Sequence, residues 1–141
     1  PLDRAMPELV PKRRANAREL ELVQEALAHP AVEEMPELAA GLWLYVDELD
    51  RSHSISQGID TPTGAFWHAI MHRREGDFSN SHYWYRRAGL HPDLVTIPDF
   101  DAYEFVEEVQ KHHLKNPEPL VGRQRVEWAA LFTWCASTAS H

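Results

Sequence analysis

Residues 61–92 read TPTGAFWHAIMHRREGDFSNSHYWYRRAGLHP, and the punctuation of this stretch decides the fold. Thr61 followed by Pro62 is a helix start. A threonine hydroxyl can cap free backbone N–H groups, and proline suits the first helical position, where its missing N–H is not needed. Gly76-Asp77-Phe78 makes a turn, since glycine readily takes the left-handed conformation that ends a helix. A second helix then runs from about Asn80 to Ala88 and is closed by Gly89 and Pro92. The segment also gathers four of the nine histidines, two of the five tryptophans, two of the four tyrosines and four arginines. It is therefore the place to look for a functional surface.

Working outward, the flanking sequence predicts more helices and no strand. Asn16 can cap a helix over 17–29, where Leu20, Val23 and Leu27 repeat at helical spacing before Pro30 ends the run. A second helix is expected over 36–52, begun by Pro36 and striped by Leu38, Leu42, Val46 and Leu49. Trp43, Leu44 and Tyr45 widen that stripe, so the helix should be largely buried. After the 61–92 hairpin comes a proline-containing loop over 90–99. Asp99 or Asp101 then caps a helix ending near Lys115. Asn116-Pro-Glu-Pro119 is a break, and a last helix over about 121–136 is apolar nearly all round, which predicts a central place in the core. The β-branched residues are scattered and never alternate. The expectation is an all-α compact bundle of about six helices, with residues 1–15 as a flexible N-terminal arm and 16–138 as a single helical domain.

Composition narrows the function. The 141 residues fit one domain that needs neither disulfide nor metal merely to fold. Cys135 stands alone, so no internal disulfide can form. The net charge of −8 argues against nucleic acid, which calls for a basic footprint. No apolar run approaches the ~18 residues of a membrane span. The first 21 residues are charged and lack a signal-peptide core, so a cytoplasmic setting without membrane contact is expected. Between Gly64 and Pro92, Arg73, Arg74, Arg86 and Arg87 outnumber Glu75 and Asp77. This basic island can hold an anionic group or pair with acidic neighbours.

Two resemblances attach to these residues. Ala69, Gly76-Asp77-Phe78, Ser81, Tyr85, Ala88 and Pro92 fall at or within about one residue of their places in a tetratricopeptide or Sel1-type unit. The hairpin therefore resembles one such unit, in which small residues let two antiparallel helices approach. No second copy is present, and His68 and His72 stand where that pattern prefers large apolar side chains. The likeness implies a local hairpin and not a repeat protein. Separately, Asp47, Leu49, Asp50, Ser52, His53, Thr63, Gly64, Trp67 to Asp77, Ser79, Asn80, Tyr83, Trp84, Arg86 and Arg87 form a run. It is similar to one shared by a family of uncharacterised bacterial and fungal proteins. That resemblance implies no activity.

The chemistry-bearing residues concentrate on the helix over 62–75. At ~100° per residue, Phe66, Trp67, Ile70 and Met71 share one arc of roughly 140°. His68, His72 and Glu75 lie opposite, within roughly 60°. The spacing H-x-x-x-H lets two imidazoles share a divalent metal such as zinc, which a carboxylate three residues on can join. Ala69 stands where a zincin-type protease has glutamate, so that class is not expected. If the helices over 36–52 and 62–75 pack antiparallel, His53 and Asp50 approach His68, and a site forms between bundle helices.

Three readings stay open. One is a metal held by His53, His68, His72 and Glu75. Another is a metal-free pocket for a small polar or anionic ligand, with His68, His72 and Asp50 as acid–base groups and Asp47, Trp67, Arg73, Arg74 and His82 around them. The third is a structural polar network beneath a Tyr/Trp/Arg-rich surface that docks a protein partner. Among the other candidates, His112-His113 suits a helix C-terminus, and Cys135 reads as a small buried hydrophobe.

Overall fold

A computed structural model describes residues 2–89 and 91–139. Pro1 of the expected arm and Leu90 of the expected 90–99 loop lie outside the described residues. Among those described, every regular element is helical. The helices are α1 (Ala17–Leu27), α2 (Pro30–Glu33), α3 (Pro36–Tyr45), α4 (Leu49–Ser56), α5 (Pro62–Glu75), α6 (Phe78–Ala88), α7 (Pro92–Thr96), α8 (Ala102–His112) and α9 (Glu118–Ala139), with a short 3-10 turn at Leu2–Arg4. None of the described helices is long and apolar enough to cross a membrane.

Among the described residues nine α-helices thus stand where about six were expected, for identifiable reasons. Two extra helices, α2 and α7, are single turns begun by proline. Each follows a histidine whose Nδ1 caps the turn, His29 for Ala31 N–H and His91 for Asp93 N–H. The third arises because the expected 36–52 helix breaks. Asp47 sits at a φ of 65°, a left-handed conformation uncommon for a residue other than glycine. The break divides α3 from α4 and turns α4 towards α5.

Capping explains where the main helices begin. The Asn16 side chain accepts from Glu19 N–H while Glu19 reaches back to Asn16 N–H, a reciprocal capping box on α1. The Thr61 hydroxyl accepts from Gly64 N–H at the start of α5. Gly76, at a φ of 86°, ends α5 in the left-handed region. Asp77 then caps α6 through Asn80 N–H. So α6 folds back on α5, and the Ser81 hydroxyl donates to the Ala69 carbonyl at 2.8 Å across the pair.

The centre of the molecule is α5, in which every residue from Thr63 to Arg74 is buried. This corrects the expectation that the last helix is central. In α9 one face is buried while Val126 is exposed, and the buried face includes the polar Gln124 and Glu127. The apolar arc of α5 packs on α3 and α9. Trp67 lies so close to Gly41 that a Cβ there would come within 2.7 Å of its ring, and Trp128 donates to the Gly41 carbonyl at 2.8 Å.

Two consecutive arginines fasten α5. Arg73 is fully buried, donates to Glu127 Oε1 and to the Tyr85 hydroxyl at 2.8 Å each, and reaches Gln124 at 3.3 Å. Burial alone would lower its pKa, but Glu127 and Tyr85 more than offset this and raise it. Arg74, also fully buried, donates to Asp47 Oδ1 at 2.6 Å and to the Leu44 and Glu8 carbonyls at 2.9 Å. It therefore braces the α3–α4 corner.

Residues 2–15, the stretch expected as an arm, lie along the domain. Met6 and Leu9 are buried. The carbonyls of Ala5, Met6 and Glu8 accept from Arg125, Gln124 and Arg74, so buried and half-buried polar side chains of the domain hold a segment with no long helix of its own.

Candidate functional site

The other side of α5 carries three imidazoles in mutual contact. His68 and His72 project from successive turns of α5. His53 comes from α4, which is fixed to α3 by the bond from the Ser52 hydroxyl to the Ala40 carbonyl at 2.9 Å. Ring centroids lie 4.7 Å apart for His53–His68, 4.8 Å for His68–His72 and 5.4 Å for His53–His72. One nitrogen of each ring falls within 4.8 Å of the others. Among the described residues, no fourth histidine, cysteine or carboxylate donor joins all three.

The two α5 histidines are held differently. His68 is only 4% exposed and lies flat against the Trp84 ring, with centroids 3.8 Å apart and planes 10° from parallel. Its Nδ1 is buried without a hydrogen-bond partner, an arrangement that is uncommon in folded proteins. Burial first, then the neighbouring His72 and His53, push its pKa down to about 4, so the ring is neutral at pH 7. His72 Nδ1 lies 2.6 Å from Glu75 Oε1. In the neutral ring this nitrogen carries the proton and donates to the carboxylate, which leaves the lone pair on Nε2.

The remaining expected site residues are placed elsewhere. Glu75 serves His72 and is not among the donors shared with His53 and His68; with Asp77 it forms a separate acidic group around His72. Asp50 is exposed and lines a groove of about 210 Å³ with Lys12, Arg13, Arg14 and Glu48. The Asp47 carboxylate is bound to Arg74 and lies 3.6 Å from Arg13. Trp67 is wholly buried on the opposite arc of α5. Arg73 and Arg74 are consumed by the internal bonds described above, so the basic island is half interior. His82 faces α8, 3.3 Å from Glu107 and against the Tyr103 ring.

Some polar residues escaped the sequence reading. Trp84 covers His68 and belongs to the cluster. Its neighbour Tyr85 points into the core, where its hydroxyl binds Glu127, and burial followed by Glu127 raises its pKa well above the ordinary value. His91 is buried, 3.0 Å from the Thr63 hydroxyl. Because His91 Nδ1 accepts from Asp93 N–H, its Nε2 carries the proton and donates to Thr63. It therefore cannot act as the base that would activate that hydroxyl. Helical spacing alone places Trp84 four residues before Ala88 and one from Tyr85, which was the available signal that the aromatic run must divide between faces.

No family profile, curated protein or solved structure matches the chain.

Proposed function

We propose that this protein binds a divalent transition metal of the zinc type through His53, His68 and His72. The observation that carries the reading is the convergence of three ring nitrogens within 4.8 Å, with His68 Nδ1 left buried and unpartnered. Neutral imidazoles are good ligands for such ions, and a buried one held neutral at pH 7 has no proton to lose on binding. With metal–nitrogen bonds of about 2.0–2.1 Å, tetrahedral ligands stand about 3.4 Å apart, so nitrogens within 4.8 Å of one another would close by at most about 1.4 Å. The hydrogen bond from His72 to Glu75 supports the same reading. A carboxylate behind a ligating histidine fixes its tautomer and raises its basicity.

In this proposal the α5–α6 pair, with its likeness to one tetratricopeptide unit, is scaffold. The small residues Ala69, Ser81 and Ala88 are buried between the helices, and Trp84 is thereby brought onto His68. The free, buried Cys135 suits the reducing cytoplasm expected from the sequence.

The test is elemental analysis of the purified protein beside His68→Ala and His72→Ala variants. The expected result is about one metal per chain in the parent and loss of metal in both variants. Metal-free parent protein with both variants merely less stable would instead support a structural stack. The continuous Trp84–His68–His72 stacking is the observation that favours that second reading. In it the exposed rings of Tyr83 and Tyr103 would offer a surface to a protein partner.

A further inference from the structure

The composition of the three-histidine site, taken together with its surroundings, bears on what else the metal would hold. We infer that the metal, if bound as proposed above, keeps an exchangeable fourth position that takes a small anion. Three neutral imidazoles contribute no negative charge, so a divalent ion among them stays at +2. His68 and His72 are buried, and the Trp84 ring covers one side. In surroundings of low dielectric an uncompensated double charge attracts an anionic ligand strongly.

Among the described residues, little is on offer for that position. The carboxylates grouped with one of the site histidines among those residues are Glu75 and Asp77, and both are committed. Glu75 is engaged by His72 Nδ1 at 2.6 Å and is not among the donors shared with His53 and His68. Asp77 caps α6, accepting from the Asn80 amide side chain at 2.6 Å and from Asn80 N–H at 3.3 Å. Moving Asp77 into the site would uncap α6 at a cost of about 1 kcal/mol. Cys135, the single cysteine, is buried against Trp67 on the opposite side of α5, its thiol pKa pushed up to about 12 by burial.

Access and field agree with this. His53 is only partly buried, so the cluster reaches solvent on the α4 side. The Arg87 guanidinium lies 5.5 Å from the Trp84 ring centroid and adds positive potential beside the histidines. Three protein ligands with one open position is also the arrangement of catalytic zinc sites, whereas structural sites close all four with protein groups. The fourth ligand is then hydroxide formed from bound water, its proton passing to solvent, or another small monovalent anion in its place.

Cobalt(II) in place of zinc, with azide as the probe anion, tests this on the full chain. Metal-stripped protein is loaded with one equivalent of cobalt and its visible ligand-field absorption is followed as azide is added. The expected result is an intense tetrahedral spectrum that shifts saturably with azide while cobalt stays bound. A tetrahedral spectrum that does not change with azide means a closed fourth position, which overturns this inference and leaves the metal site standing. Release of cobalt by azide, detected in the ultrafiltrate, also overturns it. If cobalt gives no such absorption in the first place, the metal site itself is wrong.

Discussion

Replacing Glu127 by leucine strands the Arg73 guanidinium in the core. Both side chains are 0% exposed and their closest atoms are 2.8 Å apart. Removing one partner of a buried ion pair costs about 3–5 kcal/mol, because the remaining charge keeps its desolvation penalty. Glu127→Leu and Arg73→Met should each lose that much. If the two losses added, the double variant would fall by about 6–10 kcal/mol, most of the 5–15 kcal/mol that stabilises a typical domain. The double variant instead leaves two neutral groups short of partners, the Tyr85 hydroxyl and the Gln124 amide, at about 1–3 kcal/mol each. That total of about 2–6 kcal/mol is comparable to a single loss and, at mid-range, about 4 kcal/mol short of the additive loss, which is the coupling expected. Urea unfolding of the four proteins measures this. Single losses below about 1 kcal/mol, or strictly additive losses, would refute a desolvated pair fastening α5 to α9.

Further outcomes are expected. Gly41→Ala places a Cβ within 2.7 Å of the Trp67 ring and should cost about 1–3 kcal/mol in thermal unfolding, and an unchanged midpoint would show that α3 and α5 are not packed this closely. Burial lowers the His91 pKa below its ordinary 6.5. Above pH 6.5 the ring is neutral both folded and unfolded, so its contribution is flat; below that, the unfolded chain takes up a proton that the buried ring resists, and stability falls until the lowered folded-state pKa is reached. His91→Gln should therefore show a shallower loss of stability between pH 7 and pH 5 than the parent, and equal slopes would contradict a neutral buried His91. Glu75→Gln should weaken zinc binding by about 10–100-fold in a chelator competition while leaving the helical circular dichroism unchanged; parental affinity would mean that the carboxylate does not orient His72.

How much of this was legible follows from the range of the interactions. The hairpin was readable because Thr61-Pro62, Gly76 and Asp77 act on their immediate neighbours. The break at Asp47 was not, because no glycine or proline marks it. The Asp47 carboxylate is bound instead to Arg74, 27 residues away. The same distance hid the roles of Arg73 and Arg74. In sequence they form a basic island, and their partners Glu127, Gln124 and the Glu8 carbonyl lie 51–66 residues off. The His68/His72 spacing is local and was visible. That His53 meets them while Asp50 does not depends on the direction of α4 after the break. Helical rotation requires the run Tyr83-Trp84-Tyr85 to divide between faces, but which ring meets solvent, site or core shows only once the neighbours of α6 are known.

The measurement that bears most directly on the central claim is zinc K-edge X-ray absorption of metal-stripped protein reloaded with one equivalent of zinc. A three-histidine site should give a first shell of nitrogen and oxygen near 2.0–2.1 Å, with the outer-shell scattering of three imidazoles. A shell of oxygen alone, a sulfur scatterer near 2.3 Å, or the same three-imidazole signature in a His68→Ala/His72→Ala double variant would contradict it.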